Sequence, residues 1–371
     1  MLLAVIAASA ALGRVRGPSV PGPVTAPNSA VSGAVDPGSP AGDRAAPGFT
    51  LRNQFGQSVS LAQLRGKVVI LAFVDSQCTT ICPLTSTELV DAKQMLGPAG
   101  AQVALVLVNA NPKAASVADV AAYSQAHGMA NQWDFLTGNP AQLAAVWRSY
   151  GVYVAVSTSG IDHEPVIYLI DQRGNERTLY MSQMAYGAVD SQAGVIAHAV
   201  AALLPGHPPV AATSAGQAPI GPAQSVSLSS ATGGAPVPLG PAHPHLVVFF
   251  DTWLAQTSNL TAELEALNSY AARAKARGWP SLVAVDEAPV EAGPGALTAL
   301  LRRLPVPLSY PVVVDTTGAV ADGYQVADQP WLTLTSAQGK TLFSHDGWLS
   351  AAALDTAVTK AVAASAGAGT P

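Results

Sequence analysis

One stretch of the chain joins a buried strand directly to two cysteines and the start of a helix. Residues 68–74 are apolar and mostly β-branched, a pattern that predicts a strand in the core of a sheet. Cys78 and Cys82 follow shortly after, and Pro83 opens a helical pattern that stops at Gly97. These are the only two cysteines in the 371 residues. The sequence therefore predicts a strand–turn–helix unit with two thiols at the turn.

Two thiols at the start of a helix have a specific chemistry. The first helical turn presents free N–H groups and a partial positive charge, which favour the thiolate that attacks disulfides and binds metals. A separation of four residues brings the two sulfur atoms to one side if the segment makes about one helical turn. Such a pair suits Cu(I), or Zn(II) with further ligands. The alternative is two small buried apolar side chains, but both cysteines of the chain share one motif, which favours chemistry.

Length and composition limit the classes of function. A chain of 371 residues predicts about two domains, and 49 % apolar residues are enough for their cores. Charged residues make up only 11 %, the net charge is −5, and no basic stripe occurs, so nucleic acid is not an expected partner.

The N-terminal residues 1–16 form an apolar segment that resembles a signal or anchor remnant, although a basic region before it is missing. The alternative is a disordered Ala-rich end. We expect an exported protein, secreted or membrane-anchored, with membrane association through this N-terminus. The expected location is extracytoplasmic, in the periplasm or on the cell-envelope side of the membrane.

The order of predicted elements indicates an α/β fold. A hairpin around Gly56 precedes the cysteine strand, and two later apolar runs predict further core strands. Strand–helix–strand–helix, then a hairpin and a helix, is the order of a thioredoxin-like fold. The later strands are expected at 103–108 and 165–170, the paired strand at 176–181, and the helices at 116–127, 141–150 and 189–204.

The pattern restarts after a second Pro-rich stretch. We therefore predict an α/β protein of two tandem thioredoxin-like domains. The second lacks cysteines and has lost every predicted ligand, so we expect it to bind no metal and to have no redox activity. The strand from Leu246 should be central and lead into a helix near Asn259, and Gln329-Pro330 lies where thioredoxin-like folds often keep a cis proline. The matched pairs are Phe73 with Phe249, Asp75 with Asp251, Glu88 with Glu263 and Gly174 with Gly339, and Leu254 and Ser258 replace Cys78 and Cys82.

A copper site needs a third ligand, and His163 is the best candidate. It precedes the strand at 165–170, in a loop that packs beside the strand–helix turn in thioredoxin-like folds. Two thiolates and one imidazole suit copper in either oxidation state. Spacing alone leaves open the alternative that His163 caps a turn. Its counterpart in the second half is Asp328, which could not complete a soft site with Leu254 and Ser258.

These motifs resemble the Sco/SenC family of copper-binding proteins, over about residues 46–205. The resemblance rests on Cys-x-x-x-Cys-Pro after a core strand and on a histidine before Tyr-Leu-Ile-Asp. It implies one copper bound by Cys78, Cys82 and His163. It also implies a role in building the dinuclear copper centre of cytochrome c oxidase, whose copper-centre subunit would be the partner. Thr79 and Thr80 stand where the family commonly has Pro and Asp, which changes the polarity around the site.

The predicted function is a copper-binding metallochaperone, with copper delivery or thiol reduction as its two possible actions. The alternative is an extracytoplasmic thiol–disulfide oxidoreductase in which Cys78 and Cys82 are the redox-active pair. His163 separates the two, because copper binding needs it and dithiol exchange does not. In a third hypothesis the second half is a protein-interaction module. The predicted organisation is an apolar segment (1–16), a flexible linker (17–46), the Sco-like copper domain (47–205), a linker (206–224), the degenerate domain (225–362) and a tail (363–371).

Other residues are weaker candidates. His243 and His245 could bind a metal, but their position at the edge of a linker favours solvated side chains. Met181 and Met184 could pass Cu(I), although packing is the commoner role at this spacing. His127 is expected to contact the terminal carbonyls of its helix. The residues expected simply to fill the empty second site are Trp253 and Trp331.

Overall fold

The first half of the chain folds around a six-stranded mixed sheet. The computed structural model describes residues 35–157, 160–214 and 216–367, so the predicted N-terminal segment and most of the first linker lie outside the described residues. The strands of this half are β1 (Ser39–Pro40), β2 (Thr50–Arg52), β3 (Ser58–Ser60), β4 (Val68–Val74), β5 (Val103–Asn109), β6 (Asp134–Leu136), β7 (Val154–Val156), β8 (Ile161–His163), β9 (Val166–Ile170) and β10 (Glu176–Met181). The helices are α1 (Ile81–Gln94), α2 (Val117–Ala126), α3 (Pro140–Tyr150) and α4 (Val189–Leu203).

The strand order is β1-β10-β9-β4-β5-β6, with β2–β3 and β7–β8 as separate hairpins. Strands β4, β5 and β6 are parallel to one another. Strand β9 is antiparallel to β4, and β10 is antiparallel to β9. Strand β4 is buried along its whole length because helices cover both faces of the sheet. The adjacent residues Ile70 and Leu71 point to opposite faces of the sheet and pack into separate cores. Ile70 packs with residues of α1, α2 and α4, and Leu71 packs with residues of α3. This is a thioredoxin-like domain, as predicted.

The second half folds around a seven-stranded sheet. Its strands are β11 (Val226–Ser230), β12 (Val237–Leu239), β13 (His245–Phe250), β14 (Ser281–Glu287), β15 (Val312–Asp315), β16 (Trp331–Thr335) and β17 (Thr341–Asp346). Its helices are α5 (Leu260–Arg277), α6 (Ala296–Arg303), α7 (Ala319–Gly323) and α8 (Ala351–Gly367). The strand order is β12-β11-β15-β14-β13-β16-β17.

The core of the second sheet has the same pairing pattern as the first. Strands β13, β14 and β15 are parallel to one another. On the other side of β13, β16 pairs antiparallel with β13, and β17 pairs antiparallel with β16. As predicted, β13 is central, and α5 begins at Leu260 with Asn259 as its N-cap. The Gln329–Pro330 peptide is cis. One difference is that the hairpin β11–β12 extends the second sheet, whereas β2–β3 stands apart from the first.

The two sheets share a core. Leu84 of α1 and Tyr186, before α4, are fully buried in one apolar cluster with Val247 and Phe249 of β13. The Asp322 carboxylate accepts hydrogen bonds from the backbone N–H groups of Tyr186 and Gly187, at 2.7 and 2.9 Å. One face of the second sheet is therefore covered by residues from the first half of the chain.

The structure corrects the predicted linkers. In the first (17–46), β1 pairs with β10, and the Asp36 carboxylate accepts a hydrogen bond from Met181 N at 2.6 Å, because the edge of β10 offers free backbone groups. In the second (206–224), Ile220 N donates to Ala319 O at 2.8 Å, so this segment is held against the start of α7. Helix α8 also continues past residue 362, because Ala-rich sequence favours helix.

Candidate metal centre

The two cysteines lie on the turn between β4 and α1. Cys78 precedes the helix, and its backbone N–H donates to Asp75 O at 3.2 Å. Helix α1 begins at Ile81, two residues before the expected Pro83, so Cys82 lies inside the first helical turn. Both thiols are free; Cys82 is 1 % exposed, whereas Cys78 is half-buried. Cys78 is therefore the sulfur that a partner or a metal reaches first.

The local contacts give the two thiols different acidities. The hydrogen bond from the Cys82 thiol lowers the pKa of Cys78, and the Thr80 hydroxyl, 3.2 Å from Cys78 Sγ, acts in the same direction. Burial raises the pKa of Cys82 well above its ordinary value, and the neighbouring Cys78 adds to this increase. Cys78 is therefore the more acidic thiol of the pair, and Cys82 is the thiol that donates to it when Cys78 ionises.

The structure brings His163 to the cysteines. His163 is the last residue of β8 and pairs with Val154 across the β7–β8 hairpin. Its Nε2 atom lies 3.6 Å from Cys82 Sγ. Nδ1 lies 3.2 Å from the Glu164 backbone oxygen, so an Nδ1–H donor leaves the Nε2 lone pair facing the thiols. Burial lowers the pKa of His163, which favours the neutral imidazole that a metal requires.

The donor chemistry of these three residues fits a soft metal ion, but the set is open. The two Sγ atoms and the imidazole nitrogen do not all lie within 4.8 Å of one another. Because Cys82 and His163 are only 3.6 Å apart, the long separation involves Cys78. Two ligands of one metal are at most about 4.6 Å apart, so Cys78 must rotate inward to complete the site. Its half-buried position permits this movement.

Residues of the second half contact the cysteine turn. Gln256 Nε2 donates to Ser76 O at 3.0 Å. Burial raises the pKa of Asp328, and a hydrogen bond from the Thr79 hydroxyl to its carboxyl group offsets part of that increase. Asp328 is the predicted counterpart of His163. Sequence reasoning missed both contacts, because no local pattern indicates that segments so distant in the chain meet.

The other candidates have structural roles. The ring of His127 lies between the rings of Tyr123 and Trp253, at centroid distances of 4.2 and 4.9 Å, and burial lowers its pKa to about 3. Within the described residues this ring makes no hydrogen bond to the helix carbonyls, so that prediction was wrong. His245 was expected to be solvated, but it is partly buried at the start of β13, where its ring nitrogens contact Ser281 Oγ at 2.8 Å and Pro238 O at 3.1 Å.

The predicted packing residues are found in the cores. Met181 and Met184 are partly buried against apolar clusters. Leu254, at the position of Cys78, is 1 % exposed and packs in the second core together with Trp253. Trp331 packs against the core that the two sheets share. The position aligned with the cysteine turn is therefore filled by apolar side chains.

The fold and this geometry define the class: a thioredoxin-like domain with a dithiol–imidazole site at the start of its first long helix. Residues 38–197 match the family model described as SCO1/SenC. The predicted resemblance to the Sco/SenC family is confirmed over this segment of the chain.

Several curated proteins are similar to this chain. They include a SCO1 protein homolog of Bacillus subtilis, 30 % identical over 24 % of this chain and 47 % of that protein. The mitochondrial SCO2 homolog of Bos taurus is 31 % identical over 34 % of this chain and 50 % of that protein. The chain thus spans about half the length of these curated relatives.

Similar solved structures include ScoI of Bradyrhizobium japonicum with copper bound, which is 24 % identical with a TM-score of 0.38. That match covers 43 % of this chain and 99 % of the other. ScoI of Arabidopsis thaliana with copper bound is 29 % identical, with a TM-score of 0.36, over 41 % of this chain and 95 % of the other.

Across the part of the chain that the structure describes, no helix has both the length and the apolar character needed to cross a membrane.

Proposed function

We propose that residues 47–205 bind one copper ion through Cys78, Cys82 and His163, and that the protein is a metallochaperone. The observation that carries the proposal is the 3.6 Å approach of His163 Nε2 to Cys82 Sγ, with Cys78 four residues earlier on the turn before α1. Two sulfur ligands and one imidazole form a soft, three-coordinate set that suits copper and disfavours hard cations. The match of residues 38–197 to the SCO1/SenC family supports the same proposal.

Each ligand has a distinct role in this proposal. Cys78 is the thiol whose pKa is lowered and so the one that ionises more readily, and both thiols give up their protons when the ion binds. The Glu164 carbonyl orients the His163 ring. Because Cys78 is less buried than Cys82, it is the sulfur ligand that exchanges first when copper passes to a partner. The proposed recipient is the copper-centre subunit of cytochrome c oxidase, and the proposed location is extracytoplasmic, with a membrane association through the N-terminus.

The pKa difference between the thiols supports a second candidate, thiol–disulfide exchange. The Cys78 thiolate would attack a partner disulfide and release one partner thiolate, forming a mixed disulfide. Cys82, after losing its proton, would attack Cys78 Sγ and release the second partner thiolate. The partner disulfide is then reduced by two electrons, and Cys78–Cys82 is oxidised. This chemistry uses the same sulfurs but no ligand from His163.

For the second half we propose a tandem, degenerate thioredoxin-like domain over residues 225–362. The repeated strand pairing of β13–β17 and the apolar replacement at Leu254 support this assignment. Its contacts from Gln256 to Ser76 and from Asp328 to Thr79 support a role as an interaction module that covers one side of the cysteine turn.

A copper titration of the full chain separates the candidates. We expect one Cu(I) per reduced chain in competition with a chromogenic chelator. Cys78→Ser should abolish binding, and His163→Ala should weaken it about tenfold or more, mainly for Cu(II), which prefers nitrogen. The matched control is His198→Ala, an exposed histidine on α4, which should bind as the parent does.

The same variants are assayed for reduction of a disulfide peptide. Loss of copper by His163→Ala with full retention of dithiol exchange would show that the histidine serves the metal. Unchanged binding of both copper oxidation states by His163→Ala would contradict the ligand assignment. Peptide reduction by a parent protein that binds no copper would favour the oxidoreductase.

A further inference from the structure

A set of carboxylates lies at the carboxyl ends of β13 and β14, outside the copper site. Asp251 follows β13, Asp286 is the penultimate residue of β14, and Glu291 lies in the loop beyond that strand. Each offers one oxygen to a set whose members all lie within 4.8 Å of one another, the one set of three or more such ligands among the described residues. Asp251 and Asp286 are 0 % and 2 % exposed, so these charges lie inside the protein.

Of the three carboxyl groups in this set, that of Glu291 accepts the most hydrogen bonds. Its Oε1 accepts from Thr252 N at 2.6 Å, and its Oε2 accepts from Thr252 Oγ1 at 2.5 Å and from Ala292 N at 2.9 Å. These three hydrogen bonds fix the position of the Glu291 carboxyl group. Glu291 is therefore a fixed carboxylate that faces two buried aspartates.

The two aspartates are not satisfied in the same way. Asp251 Oδ1 accepts from Glu287 N at 3.2 Å, but its Oδ2 is buried with no hydrogen-bond partner. Asp286 Oδ1 is also buried without a partner. A buried oxygen without a donor is costly, and two of them beside one carboxylate need either protons or a cation.

Among the described residues, no lysine, arginine or histidine forms an ion pair with this set. None of the five ion pairs found in residues 35–157, 160–214 and 216–367 includes a member of this set. A further carboxylate, Glu287, lies beside it, fully buried, with Oε2 accepting from Gln329 Nε2 at 2.7 Å and Oε1 without a partner. Within the described part of the chain, the surroundings therefore bring a further buried carboxyl and no positive charge to the set.

The sequence led us to expect no metal in the second half; from this geometry we instead propose that Asp251, Asp286 and Glu291 form a site for one hard divalent cation of the Mg²⁺, Mn²⁺ or Ca²⁺ class. Carboxylate oxygens are the ligands these ions prefer, whereas Cu(I) prefers the sulfur ligands of the first half. Opposite oxygens around Mg²⁺ are about 4.2 Å apart and around Ca²⁺ about 5 Å apart, so the observed spacing accommodates either ion. The buried oxygens of Asp251 and Asp286 that lack donors would then be ligands.

The competing explanation is that protons replace the cation. Burial raises the pKa values of Asp251 and Asp286, and the charge of Glu291 adds to the increase in Asp251. A protonated set would show no response to divalent ions, and removal of one carboxyl would be neutral or stabilising. The two explanations therefore predict opposite results in one binding experiment.

The experiment uses the full chain, freed of metals with a chelator, and Mn²⁺ as the probe at pH 7. Free Mn²⁺ is measured by electron paramagnetic resonance, and the melting temperature is recorded with and without the ion. We expect one Mn²⁺ per chain, displaced by Mg²⁺ or Ca²⁺, and a rise in melting temperature with the ion. Asp286→Asn and Glu291→Gln should each weaken Mn²⁺ binding about tenfold or more and remove the shift.

Two controls keep the result interpretable. Glu88→Gln changes an equally buried carboxyl of α1 outside the set, and Cys78→Ser removes the copper site; both should bind Mn²⁺ as the parent does. Glu291 is only partly buried, so its variant should fold even if Asp286→Asn does not, as near-ultraviolet circular dichroism will show. Absence of Mn²⁺ binding by the parent at about 1 mM, or unchanged affinity in folded Glu291→Gln, would overturn the proposal.

Discussion

Replacement of Leu84 tests whether the two sheets share one core. Leu84 of α1 is 0 % exposed and packs with Tyr186 and Phe249, which come from different halves of the chain. Leu84→Ala removes three carbon atoms, worth about 2.4 kcal/mol at about 0.8 kcal/mol each, and the residual cavity adds to this loss. We expect the free energy of unfolding to fall by about 2–5 kcal/mol.

A matched control lies on the same helix. Leu89 is also 0 % exposed but packs in the core between the first sheet and α4. Urea unfolding of the full chain measures both variants, and hydrogen exchange reports on the amides of β13 and β14. Leu84→Ala should accelerate exchange in these second-half strands as well as in α1. Unchanged exchange in β13 and β14 of Leu84→Ala, despite a lowered stability, would refute the shared core.

Three further predictions concern the cysteine turn. Cys82→Ala should raise the pKa of Cys78, because it removes the hydrogen bond that lowers this pKa; alkylation rates against pH would shift upward, and an unchanged profile would be inconsistent with the assigned bond. Mild oxidation should form an intramolecular Cys78–Cys82 disulfide, seen as a mass loss of two hydrogens, and abolish copper binding; full copper affinity after oxidation would rule this out. Gln256→Ala should cost about 0.5–1.5 kcal/mol of stability and accelerate alkylation of Cys78, since it removes the bond to Ser76; equal rates would argue against a covering role.

The elements that the sequence predicts best are those with strong local signals. Strand β4 is a continuous apolar run, and its burial on both faces follows from that pattern. Helices α2 and α3 are preceded by Ser116 and Asn139, whose side chains cap the first turn of each helix. Strand β6 and the β7–β8 hairpin have only three residues per strand, too few for periodicity to reveal.

The parts that sequence reasoning misses depend on distant contacts. The segment around Asp36 is Pro- and Gly-rich and looks like a tether, but its order comes from Met181 and Gln192, far along the chain. The cysteine pair is visible in the sequence because its spacing is local. Its unequal acidities are not visible, because they arise from burial of Cys82 and from which thiol donates to the other. The carboxylate set is hidden for the same reason, since Asp251 and Glu291 meet only in the folded sheet.

The most direct test of the copper proposal is X-ray absorption at the copper edge of the reduced, Cu(I)-loaded full chain. We expect two sulfur ligands from Cys78 and Cys82 and one nitrogen ligand from His163, with the nitrogen contribution lost in His163→Ala. A copper environment of oxygen and nitrogen without sulfur, or an identical spectrum in His163→Ala, would contradict it.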